Sequence, residues 1–258
     1  MKKRLFLLVP FLFALGVSTA AIADEKAKAE EKPKNDEKPK AEEKRKNDEK
    51  LAAVEKELSK VWDKLKSMTA DMEMNVAVAG TSTKMKGTVE FVAKPDKELF
   101  RMEMTMETDF GGQKMEGTST TVYDGEFVYM VNEMFGQKTA IKQKPGAMAQ
   151  SPAGKHMFES LMENNELKVL PSEKVDGKDA FVIEAVPKGT ATQPFTKMKL
   201  FLVKENGIVV KMLAYDHAGS EFMTTVYSNI KINPKIDESR FVFKAPDGVQ
   251  VMDMTNRP

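Results

Sequence analysis

From Phe100 to Glu107 apolar and polar residues alternate without a break. Phe100, Met102, Met104 and Met106 face one way, and Arg101, Glu103, Thr105 and Glu107 face the other. A period of two over eight residues predicts a β-strand with one buried and one wet face. The same period runs through Met72, Met74, Val76 and Val78, and again through Met85, Gly87, Val89 and Phe91. Further strands are expected at 114–123, 126–131, 138–143, 180–186, 196–204, 208–216 and 221–232, with Phe241, Phe243, Val249 and Val251 in the last ones. Asp124-Gly125, Asp176-Gly177 and Asn206-Gly207 each separate apolar runs and read as β-hairpin turns. About eleven antiparallel strands are more than a strongly twisted open sheet carries without curling or splitting.

The period changes to three and four through Leu51, Val54, Leu58, Val61, Trp62, Leu65 and Met68, which predicts an amphipathic helix over 51–68. Such a helix needs a surface: it either packs on the outside of the domain or forms one wall of a cavity. The stretch 144–154, with its Pro and Gly residues, reads as a loop leading into a short helix over 156–164. Met157, Phe158, Leu161 and Met162 give that helix an apolar patch, either as a lid or as a plug of core. The wall that faces these helices is built of methionine rather than Val or Ile. Unbranched, polarizable thioethers adapt to irregular partners, so the Met face is read as the lining of a site for flexible apolar ligands such as acyl chains, with ordinary core as the plain alternative.

Composition narrows the setting. The chain has 258 residues, is 41% hydrophobic and 31% charged, carries a formal charge of +1 and has no cysteine. Met1-Lys2-Lys3-Arg4, the apolar run from Leu5 to Val17 and Ala21-Ile22-Ala23 have the order of a signal peptide over 1–23, cleaved after Ala23 to place the protein in the periplasm. The run is short for a membrane span and is broken by Pro10 and Gly16, which leaves a retained anchor as the lesser alternative. Without cysteine there is neither a lipid attachment site nor a disulfide, so the fold must rest on an apolar core. Residues 24–50 hold ten acids and ten bases and no large apolar side chain. That composition predicts a charged, disordered linker ahead of one domain over 51–258.

The chemistry of catalysis finds no candidate site. His156 and His217 are the only histidines, and His217 falls in the turn-like Asp216-His217-Ala218-Gly219. There is no metalloprotease helix, phosphate loop or nucleophile elbow, no cofactor motif and no basic cluster for nucleic acid. A reading of another class is a Met-rich Cu(I)-binding protein, because Met72-x-Met74, Met102-x-Met104-x-Met106 and Met252-x-Met254 offer soft thioether ligands.

Phe241-Val242-Phe243-Lys244-Ala245-Pro246-Asp247-Gly248-Val249-Gln250-Val251-Met252-Asp253 resembles the closing segment of the periplasmic outer-membrane lipoprotein carrier family, LolA. Val92-Ala93-Lys94-Pro95 followed by Phe100-Arg101-Met102 resembles that family's basic-Pro step and aromatic strand. Tyr123-Asp124-Gly125-Glu126-Phe127-Val128-Tyr129 is similar to its Asp-Gly hairpin. With the leading helix, the resemblance spans 51–253. It implies an α+β, mainly antiparallel unclosed half-barrel whose covering helices shelter lipoprotein or lipid acyl chains. It also implies a monomeric carrier that receives cargo from an inner-membrane release complex and delivers it to an outer-membrane acceptor. A lipid-sensing or envelope-stress module of the same fold is the alternative. Phe91, Phe100, Met102, Met104 and Met106 would line the sheet side, and Leu65, Phe158 and Leu161 the helix side. Lys94, where the family has arginine, would tie lid to sheet, and Met102 stands where the family has tryptophan.

Overall fold

The computed structural model describes residues 37–95, 97–145, 155–188 and 195–255. Twelve strands form one unclosed sheet: β1 (Ser67–Val78), β2 (Thr81–Ala93), β3 (Glu98–Phe110), β4 (Gln113–Tyr123), β5 (Val128–Met134), β6 (Gln137–Gln143), β7 (Asn165–Val175), β8 (Lys178–Pro187), β9 (Lys197–Val203), β10 (Val209–Tyr215), β11 (Glu221–Ile232) and β12 (Val251–Asp253). Their spatial order is β12-β6-β5-β4-β3-β2-β1-β11-β10-β9-β8-β7. Every neighbouring pair is antiparallel except β12 on β6. Two helices, α1 (Glu37–Trp62) and α2 (Lys155–Asn164), lie on one side. This is the half-barrel with covering helices expected from the strand count and the resemblance.

The period of two reads onto the sheet directly. Met68 pairs with Phe91, Phe91 with Phe100 and Phe100 with Tyr123, so a single apolar face continues across β1 to β4. On the other side of β1 the same face continues through Tyr227, Met212 and Leu200 to Ile183. We call it the helix-side face.

Four elements differ from expectation. First, residues 37–50 form the first half of α1 rather than a linker; 1–36, including the expected signal peptide, lie outside the described residues. The segment has no apolar stripe of its own, but Lys46–Glu42 at 2.7 Å and Arg45–Glu49 at 2.8 Å are helix-compatible ion pairs at i, i+4. Asn47 then docks it to the sheet edge: its amide donates to Leu167 O (2.7 Å) and its oxygen accepts from Val169 N (3.0 Å). Second, the helix ends at Trp62. Lys64 and Leu65 donate to Val61 O and Trp62 O in a tightened last turn, and Met68 already belongs to β1. Third, β7 is a full strand where only its following turn was expected; Pro171 and a register shift between Leu170 and Glu173 obscure its alternation. Fourth, Phe241 and Phe243 are not in strands. Phe241 closes a 3-10 turn, Glu238–Phe241, that Asp237 caps through its side chain, and only Val251–Asp253 pairs as a strand.

The C-terminal segment that follows is a strap on the side opposite the helices. Asn233 anchors its start by accepting from Lys66 N at 2.7 Å and donating to Lys64 O at 3.0 Å. Arg240 holds Glu90 with Nε at 2.6 and 2.8 Å from its two oxygens, Phe243 stacks on Tyr129 at 4.4 Å, and Met254 N donates to Lys142 O at 2.7 Å. Of the three expected Gly hairpins, only Asp176-Gly177 has both central residues at positive φ; Asp124-Gly125 and Asn206-Gly207 sit in longer loops.

Candidate functional site

The helix-side face is not uniform. Its β7–β10 half is sealed: Val54, Leu58 and Trp62 of α1 and Met157, Phe158 and Leu161 of α2 pack with Ile183, Ala185, Leu200, Leu202 and Val209. Leu58, Ile183 and Leu202 are fully excluded from solvent. Trp62 closes the lower end. Its indole donates to Gly207 O at 3.0 Å, and its ring meets Phe158 at 5.4 Å between centroids. A side chain at Gly207 would meet that ring, and its φ of +67° disfavours one as well. Helix and sheet thus meet here through side chains that are almost wholly buried.

The β1–β5 half differs. Its deep layer, Leu65, Met68, Met72, Val89, Phe91, Phe100 and Met104, is buried, while Met102, Met106, Met74 and Tyr123 pack against it half-exposed. Neither helix belongs to this cluster. The pairings bring together a row that sequence reading assembled only in part: Met74 opposite Met85, Met85 opposite Met106, Met106 opposite Gly117, Gly117 opposite Met134. Across β11 the row continues through Thr225 to Met212, which touches both halves. Glycines make the floor. A Cβ at Gly87 would meet the Glu103 carbonyl first and then Met104 Sδ at 2.8 Å, and one at Gly117 would meet Glu133 O at 2.8 Å before Met134 Cγ and Met106 Cε at 3.1 and 3.4 Å. Flexible thioethers folded over glycine give a surface that can re-shape without backbone movement.

The expected site residues therefore fall into two groups. Leu65, Phe91, Phe100, Met102, Met104 and Met106 share one cluster, with Phe91 directly opposite Phe100. Phe158 and Leu161 belong to the other, where they hold the helices to β8–β10 and do not cover the Met row. Lys94 ties the strap, not a helix: its Nζ is 2.5 Å from Glu238 Oε2. Gly117, Met130, Met134 and Met212 were missed. Met130 and Met134 do alternate on β5, but only pairing through β4 shows that they extend the same face.

The electrostatics of this half are quiet. Burial pushes the Tyr227 phenol far above its ordinary range, so it stays neutral. Tyr123, raised mainly by burial, donates to Gly125 O at 3.1 Å. Thr225 Oγ1 is fully buried between Met74 and Met212 without a hydrogen-bond partner. Among the described residues no group of three or more His, Asp or Glu side chains is placed to hold a metal ion, and no helix is long and apolar enough to cross a membrane.

A family model described only as that of an uncharacterized protein matches residues 146–245. An uncharacterized protein of Methanocaldococcus jannaschii is 26% identical over 201 residues, 77% of this chain and 52% of its own. The chain thus spans about half the length of that curated relative. Among solved structures the fold is similar to an uncharacterized conserved protein from Thermus thermophilus, with TM-score 0.49 and 16% identity over 80% of this chain and 98% of that one. It is also similar to the LolA superfamily protein NE2245 from Nitrosomonas europaea (TM-score 0.35, 11% identity, 75% and 97% covered) and to the Mycobacterium tuberculosis lipoprotein LppX (0.39, 12%, 73% and 98%). These are likenesses of fold alone.

Proposed function

We propose that this chain is an exported, non-enzymatic carrier that holds an acyl chain of a lipid or lipoprotein on the β1–β5 half of its helix-side face. The observation that carries the proposal is the split of that face. One half is packed shut by the helices, while the other ends in a half-exposed row of Met74, Met106 and Met134 around Gly117. Among the described residues neither helix covers this second half. An acyl chain laid along the row exchanges water for thioether contact at about 0.8 kcal/mol per methylene. The resemblance of the Lys94-Pro95, Asp124-Gly125 and C-terminal motifs to the lipoprotein carrier family supports the same reading, with a periplasmic setting and membrane complexes as donor and acceptor.

Native mass spectrometry of protein purified from its own envelope tests this: a bound acylated species is expected, and protein that is lipid-free under conditions that preserve a known lipid carrier's cargo refutes it. A sensor of the same lipids would bind the same way but not pass them to acceptor vesicles. The Met74–Met85–Met106 row also sets three thioethers on neighbouring strands, which favours Cu(I) as a second reading. Anaerobic Cu(I) titration separates the two, since micromolar or tighter binding lost in Met74→Leu/Met106→Leu assigns the row to metal.

A further inference from the structure

The β1–β2, β3–β4 and β5–β6 turns project from the same end of the sheet, because each joins an odd strand to the next even one in a simple meander. All three end in exposed apolar side chains: Val78 at 39%, Phe110 at 37% and Phe135 at 75% of full exposure. Neighbouring tips are two strands apart, so the three span about 20 Å of rim. Phe135 is the most telling. It occupies a left-handed position, φ +53°, followed by Gly136 at +72°. Such a two-residue turn is met at least strain by Asn or Gly, and a bulky side chain there is unfavourable both in backbone terms and in exposure. Nothing within the described fold compensates for it.

Other exposed apolar side chains, Val186, Ile232, Val242 and Met252, are scattered over the fold, whereas Val78, Phe110 and Phe135 stand at successive turns of one end. At the opposite end the β2–β3, β4–β5 and β9–β10 connections carry Lys94, Lys97, Asp124, Glu126, Lys204 and Glu205. At the same end, over the helix-covered half, the β10–β11 turn is polar, with Asp216 accepting from Ala218 N and Ser220 N. Val78, Phe110 and Met134 lie on the helix-side face of their strands, the face that carries the Met row, with the hydrogen-bonded Thr83–Thr108 pair between rim and row on β2 and β3. Charge at the rim is balanced. No charged residue occurs from Met74 to Thr83, Asp109 stands opposite Lys114, and Glu133 is 3.6 Å from Lys138.

We propose that this rim is a bilayer-docking edge: Val78, Phe110 and Phe135 enter the interface of a lipid membrane and set the open end of the Met row against it. A protruding, charge-balanced line of apolar tips matches a fluid apolar layer, and its balance of charge removes the need for anionic lipid. The proposal rests on the carrier reading for its purpose, since cargo leaving a membrane would meet the row at its nearest point, but not for its test.

Flotation of the purified protein with phosphatidylcholine vesicles, at low salt and at 0.5 M salt, provides that test. Wild type is expected to float equally in both. Phe135→Asn, which suits the turn and so leaves folding intact, is expected to reduce vesicle partitioning by about tenfold, as is Phe110→Ser. Wild type that does not float, flotation abolished by salt, or Phe135→Asn floating like wild type each overturns the docking edge. Binding of a soluble fluorescent fatty acid, measured on the same samples, distinguishes the two ideas. Retained binding with lost flotation upholds both; Phe135-dependent flotation without fatty-acid binding upholds the edge and sinks the carrier.

Discussion

Met106→Glu separates a ligand wall from ordinary core. Met106 is half-exposed and sits beside Gly117, so a carboxylate there reaches water and the fold should survive with little change in unfolding midpoint. Met104, two residues away on the same face, is only 3% exposed. A glutamate at 104 would bury an unpaired charge at a cost of several kcal/mol, a large part of the roughly 5–15 kcal/mol that holds a domain folded, and would report on folding rather than binding. For the ligand the expected cost follows from contact. A carboxylate in the row denies an acyl chain about three methylenes of dry contact, about 2.5 kcal/mol, which is about a 60-fold weaker Kd. Displacement of a fluorescent sixteen-carbon fatty acid, with circular dichroism melts on the same samples, measures both quantities. Met106→Leu, which keeps the apolar surface, should bind within a few-fold of wild type. If Met106→Glu folds and binds like wild type, the row is not the wall.

Asn47→Ala removes two hydrogen bonds to the β7 backbone, about 1–2 kcal/mol of docking, and hydrogen exchange at the Val169 amide should accelerate while β1–β4 amides stay protected. Thr225→Val replaces a buried hydroxyl that has no partner with a methyl of the same size. It should raise stability to urea by about 1 kcal/mol, and a loss of stability would show that the hydroxyl has a partner in solution.

Much of the sheet was legible because a strand's period survives wherever one face is buried. Met72 to Val78, Met85 to Phe91 and Phe100 to Met106 all pair as their alternation implied. Residues 37–50 were not legible, because their helix depends on ion pairs and on Asn47 reaching a strand 120 residues away, neither of which leaves an apolar pattern. Leu65 and Met68 fit a helical spacing but are claimed by the turn and by β1, whose pairing with β2 and β11 outweighs local propensity. The apolar residues of the candidate site were readable one strand at a time. The partition of Phe158 and Leu161 from Phe100 and Met104 was not, because it depends on which strands lie under the helices, and that is a property of strand order. Phe135 in a left-handed turn is likewise invisible in a sequence where Asn or Gly would be expected.

Both margins of the sheet are occupied, one by the side chain of Asn47, which imitates a passing peptide group on β7, and the other by β12 laid along β6. A wide sheet left open invites identical sheets to add themselves strand by strand, and these two contacts occupy part of each margin. The β6 contact is only three residues long and belongs to the C-terminal strap. Chains clipped after Ile232 should therefore accumulate as edge-paired oligomers, a hazard that grows with concentration and has nothing to do with cargo.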